Sequence, residues 1–178
     1  MKNLITLLLI SIAFGATAQD TAIKDYSKAD KKTKKGIDDA LVSYLKVKDA
    51  LVATNKGEAQ TAAIELKTAI EAISADKLTA EQRQYLNAHC SYIVKQSLSI
   101  QNDSIDIEQK RAAFEKVTQS MYALIKSFKA NKIEVYLQYC PMAMDGNGAF
   151  WLSDRETIMN PYFGNLMLHC GDVEEVIE

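Results

Sequence analysis

A surplus of charge of either sign is missing from this chain: 21 lysines and arginines stand against 23 aspartates and glutamates. That balance excludes the clearly basic face that nucleic-acid binding requires, so no nucleic-acid partner is expected. After the first residues no apolar run is long enough to cross a bilayer, so no membrane span is expected either. Histidine is limited to His89 and His169, and cysteine to Cys90, Cys140 and Cys170. There is no Cys-x-x-Cys pair to set a redox poise, and no group of Asp, Glu and His with hydrolase spacing. The chain therefore reads as a non-enzyme. Internal repeats and low-complexity tracts are also lacking, and the one dense basic run, Lys28 to Lys35, is interleaved with Asp25, Asp30, Asp38 and Asp39. It reads as a solvated helix start rather than a binding patch.

What is present begins with a leader. Lys2 gives a positive start, Leu4 to Phe14 an apolar stretch, and Ala16-Thr17-Ala18 the small-x-small pattern that precedes cleavage. Residues 1–18 thus read as a secretory signal peptide, and the expected location is periplasmic or secreted. Residues 19–29 read as a flexible lead-in and 30–178 as one domain, long enough to bury a single sizeable core without disulfide support.

From about residue 30 to 130 apolar residues recur at three- and four-residue steps, which predicts four helices. The first carries Ile37, Leu41, Leu45, Lys48, Leu51 and Val52, with a stop at Asn55-Lys56-Gly57. The second is alanine-rich, through Ala59, Ala63, Leu66, Ile70 and Ile73. A capping box at Thr79 and Gln82 opens the third, which runs to the break at Asn102-Asp103-Ser104. The fourth places Ile107, Arg111, Phe114, Val117, Met121, Leu124, Ile125 and Phe128 on one stripe, with Asn131 as a left-handed cap. Short connections make an up-and-down four-helix bundle, a mainly α fold.

Beyond Asn131 the period changes to two. Ile133, Val135, Leu137 and Tyr139 read as a strand, Asp145-Gly146-Asn147-Gly148 as a turn, and Ala149 to Leu152 as the return of a small β-hairpin packed on the bundle. Ser153 with Glu156 predicts a short helix ending near Asn160-Pro161.

The last forty-five residues hold two of the three cysteines, four of the six methionines, the one tryptophan and both prolines. Under strict strand alternation Cys140, Met142 and Met144 share a face, and Met167 and Cys170 add a second thioether and thiol. Soft sulfur donors of this kind select copper(I) or silver(I), with zinc less suited. The opposing reading is a Cys140–Cys170 disulfide that closes a loop and leaves the protein an interaction module without metal. The odd cysteine, Cys90, reads as a small buried apolar residue, and His89 as either a helix-borne ligand or a buried bystander.

These residues also carry a resemblance. Tyr136-x-x-x-Cys140-Pro141-Met142-Ala143, Gly148-Ala149-Phe150-Trp151-Leu152-Ser153, Ile158-x-Asn160-Pro161-Tyr162-Phe163-Gly164 and Met167-Leu168-x-Cys170-Gly171 resemble the signature of a bacterial exported-domain family. So do Tyr44-Leu45-x-x-Lys48-Asp49-Ala50-Leu51-Val52 and Ile107-Glu108-x-x-Arg111-x-x-Phe114-x-x-Val117-Thr118 upstream. That family occurs as secreted proteins and as the C-terminal extension of membrane-fusion subunits in copper and silver efflux pumps. The resemblance implies that Cys140, Met142, Met167 and Cys170 are the positions a heavy metal would use, and that an efflux component is a partner. Some relatives carry histidines where this chain has Ser97, Gln109 and Leu137-Gln138-Tyr139, which shifts the expected site from imidazole toward sulfur.

Intact mass of the exported protein should show loss of residues 1–18, with Gln19 at the new N-terminus. A leader retained in fully processed material would overturn the export expectation.

Overall fold

The computed structural model describes residues 22–178, so the leader read at 1–18 lies outside the described residues. Four long helices are present: α1 (Lys31–Val52), α2 (Lys56–Glu71), α3 (Ala80–Gln101) and α4 (Ile107–Phe128). Each begins where a polar side chain accepts from the otherwise unpaired amides of the first turn. Asp30 takes the amides of Lys32 and Thr33, Asn55 that of Glu58, and both Thr79–Gln82 and Asp106–Gln109 form full capping boxes. Neighbouring helices pack in sequence, and α1 meets α4 to close the bundle.

The core follows the expected stripes. Phe114, Val117, Met121, Leu124, Ile125 and Phe128 of α4 are fully buried against Ile37, Leu41, Tyr44 and Leu51 of α1, Leu66 and Ile70 of α2, and Ile93 of α3. Burying a side chain of this size contributes about 1.5–3 kcal/mol, so this stripe is the main source of stability. No described helix is long and apolar enough to cross a membrane.

The C-terminal part forms a sheet of β1 (Val135–Cys140), β2 (Ala149–Ser153) and β3 (Asp172–Ile177), in the order β2-β1-β3, with both pairings antiparallel. The expected hairpin is thus present, and a third strand joins its other side. That strand, Asp172-Val173-Glu174-Glu175-Val176-Ile177, has an acidic centre that hides it in the sequence. Most of it is exposed, so it needs no apolar alternation, and a bulge opposite Leu137 and Gln138 shifts its register.

Four local expectations are corrected. Cys140, Met142 and Met144 do not share a strand face: β1 ends at Cys140, Pro141 lacks the amide that would continue the ladder, and Met144 and Asp145 adopt left-handed dihedrals within the single helical turn Ala143–Gly146. The short helix expected from Ser153 is a series of bends, because buried Gln138 takes the carbonyls of Arg155 and Glu156 through its amide, both at 2.9 Å. The left-handed cap of α4 is Lys129 rather than Asn131, whose amide instead reaches Ile177 O at 3.0 Å and fastens the end of β3. Gly57 lies in the first turn of α2, since the chain turns earlier, at Thr54. The lead-in is also pinned where it is described. Tyr26 donates its amide to Ser127 O at 2.7 Å and its ring packs on Tyr85 and Phe128.

In the β1–β2 connection both Gly146 and Gly148 have positive φ, as the turn motif predicts. A Cβ on Gly146 would meet nothing within 4 Å, whereas one on Gly148 would stand 1.9 Å from the Tyr139 hydroxyl. Gly146→Ala should therefore cost about 1 kcal/mol of backbone strain in urea unfolding. Gly148→Ala should cost more, because the Tyr139 ring would have to leave Phe150, against which it packs tilted at 4.5 Å. Equal costs would mean that the Tyr139 ring moves aside freely.

Candidate metal centre

Cys140 closes β1, the central strand, and is fully buried. Cys170 precedes β3 on a tight turn in which its amide donates to Met167 O at 3.1 Å, and it is partly exposed. Because β1 and β3 are antiparallel neighbours with Tyr139 opposite Asp172, the two cysteines arrive at the same end of the sheet from opposite directions. Their sulfur atoms are in contact, 2.6 Å apart.

The turn that carries Cys170 is held from below by Asn160, which is fully buried. Its side-chain amide donates to Cys170 O at 2.8 Å, its backbone amide donates to Leu168 O at 2.8 Å, and its side-chain oxygen accepts from the amides of Tyr162 and Phe163. Gly171 then lets the chain pass between β1 and the indole: a Cβ there would stand 2.7 Å from Tyr139 O and 2.8 Å from the Trp151 ring. Trp151 is fully buried and meets Tyr162 edge-on.

The loop around Asn160 is tied to the bundle by Arg111. This nearly buried side chain donates to Pro161 O at 2.9 Å, to Leu51 O at 3.3 Å and to the Thr54 hydroxyl at 3.2 Å, and pairs with Glu108 at 2.6 Å. On the other flank, buried Lys48 reaches Asp154 at 2.9 Å just after β2. Both cations sit at stripe positions of their helices where an apolar residue is the rule. That displacement was the signal in the sequence, and without the loop in view it had no partner to name.

The remaining expected donors separate. Met142 offers its backbone amide to the Cys170 sulfur while its side chain is 56 % exposed. Met144 packs, partly buried, on the core, and Met167 lies partly exposed in the Cys170 turn. His89 is fully buried on α3, 4.5 Å from the Tyr85 ring, and lines a cavity with Lys24, Tyr26, Glu81 and Gln84, all from the lead-in and α3. His169 is exposed, its Nδ1 2.9 Å from Ile158 O. Cys90 packs on the core from α3, and burial pushes its thiol up to about 12. Among the described residues no group of three or more His, Cys, Asp and Glu could hold an ion.

The Cys170 thiol is pushed up to about 11, first by its contact with Cys140, then by burial and by charge on Cys140, with the Met142 amide acting the other way. What the site offers is a pair of cysteine sulfurs in contact, half sheltered.

A helical bundle with a small sheet that presents a paired dithiol is the class the fold and site define. Residues 40–132, from within α1 to just before β1, match a family described as a protein of unknown function (DUF3347), and the chain belongs to that family. No curated protein and no solved structure matches it.

Asn160→Ala removes the bonds to Cys170 O and to two amides, so it should lower stability by about 2–3 kcal/mol in urea unfolding. The near-ultraviolet signal of Trp151 should weaken while helical content persists. An unchanged midpoint would show that the Cys170 turn does not depend on this side chain.

Proposed function

We propose that this protein is an exported, non-catalytic binder of soft heavy-metal ions, with copper(I) or silver(I) held by the thiolates of Cys140 and Cys170, acting in envelope metal buffering, delivery or efflux. The observation that carries the reading is the juxtaposition of the two sulfurs at 2.6 Å on a scaffold whose buried polar residues serve to place them. Two thiolates alone suit copper(I) and silver(I), whereas a structural zinc wants four thiolate or imidazole donors. Met142 and Met167 are the thioethers adjoining the pair in the chain; Met144 and His89 are set apart from it by their packing.

An ion bonded to both sulfurs at roughly 2.3 Å needs them about 4 Å apart. Cys140 is fixed by the central strand, so the turn at Cys170 would be the part that opens. The leader-like sequence at 1–18 supports an envelope location, and the resemblance to the extensions of copper and silver efflux subunits supports an efflux component as the partner. The burial of Cys140 also favours a second reading, in which the pair is a disulfide and the bundle an interaction module.

Anaerobic titration of reduced protein with copper(I), silver(I) and zinc(II), with elemental analysis, separates the two. Copper(I) or silver(I) should bind more tightly than zinc, release protons from the thiols and raise the melting temperature. The Cys140→Ser, Cys170→Ser double variant should lose that binding, and Met142→Leu or Met167→Leu should weaken it. If the double variant binds copper as tightly as the parent, the proposed site does not exist.

A further inference from the structure

The two cysteines differ in what can reach them. Cys140 has no exposed surface, being enclosed at the end of the central strand with Ala149 as its partner across β2. Cys170 is on the outside of the pair, partly exposed, on a turn between exposed His169 and exposed Asp172. We propose that the pair is an asymmetric dithiol for exchange with a low-molecular-weight disulfide, in which Cys170 is the entry thiol and Cys140 the resolving thiol. This holds whether or not the pair also takes a metal.

The geometry fixes the order of the steps. The Cys170 thiolate attacks one sulfur of a disulfide RSSR; a Cys170–SR bond forms, the S–S bond of the reagent breaks, and RS⁻ leaves with its electron pair. The Cys140 thiolate then attacks the Cys170 sulfur, the Cys140–Cys170 bond forms, and a second RS⁻ leaves. The protein dithiol is oxidised by two electrons and RSSR is reduced to two thiols, which take up the two cysteine protons. Displacement at sulfur proceeds through an aligned arrangement of attacking, central and leaving sulfurs. With Cys140 beneath Cys170, the group it expels departs outward to solvent. The reverse order would require RSSR to reach Cys140 through Ala149 and the strand, where there is no surface to approach.

The two sulfurs are in contact, so Cys140 is in place for the second step.

The test uses reduced protein in a Cys90→Ala background, treated with glutathione disulfide, acid-quenched at intervals and mapped by mass. With Cys140→Ser, or Cys140→Ala if the serine variant folds poorly, one glutathione should accumulate on Cys170. With Cys170→Ser, Cys140 should stay unmodified in the folded protein and react once urea is added. The unsubstituted pair should pass to the internal disulfide, with any early adduct on Cys170 alone. Glutathione found first on Cys140, or equal labelling of the two single-cysteine proteins in the folded state, would overturn the assignment.

Discussion

The guanidinium of Arg111 is the joint between the two parts of this molecule. It projects from the second turn of α4, is almost without solvent contact, and spends its donors on carbonyls and a hydroxyl from two other segments: Leu51 and Thr54 at the end of α1, and Pro161 in the loop beneath Cys170. Glu108, at the rim, neutralises it. A buried cation arranged this way is strongly directional, because removing it would take from the Pro161 carbonyl the donor that seats the loop on the bundle. Gly164 shows how tight the joint is: a Cβ there would lie 2.4 Å from the Thr54 hydroxyl and 3.0 Å from the guanidinium. The loop is thus seated on the bundle here, and Asn160 builds outward from that seat to the Cys170 turn.

The sheet is fitted to the bundle by a related device. As an edge strand β2 would expose unpaired backbone groups, a liability that folds must cover. Here two tyrosines cover it. The Tyr44 hydroxyl of α1 accepts the Leu152 amide at 3.1 Å while lying 2.7 Å from the Thr118 hydroxyl, and the Tyr162 hydroxyl donates to Phe150 O. Both rings sit on Phe114, Tyr44 stacked at 4.9 Å and Tyr162 tilted at 6.1 Å. Phe114, a core residue of the α4 stripe, is therefore also the platform for the sheet edge. The opposite edge, β3, is protected by charge: Asp172 and Glu174 face solvent, and Glu175 is held by Lys126 and the Tyr122 hydroxyl.

These connections account for how a dithiol can be kept at the end of so small a sheet. The central strand gives Cys140 its position, and buried Asn160 holds the turn of Cys170 beside it. The family match ends at Lys132, so it covers the bundle and leaves the dithiol segment as the part that this chain's own residues must explain.

The helices were legible because each is encoded within its own length, by a cap of known chemistry and a stripe of period 3.6, and the turn glycines because a positive φ is a local demand. The spacing of Cys140 and Cys170 allows either a disulfide or a shared soft-metal site, and does not choose between them. What the sequence could not give was decided between segments distant in the chain: that β3 adds to β1, that Pro141 ends the strand before Met142, that Gln138 claims the carbonyls of a would-be helix, and that Arg111 and Lys48 are fasteners rather than stray charges. Local patterns determine which residues become helix, strand or turn, since the energies involved arise between near neighbours. Which sulfurs meet depended on a register and a loop seat fixed by hydrogen bonds spanning fifty or more residues, as in Arg111 to Pro161 and Lys48 to Asp154.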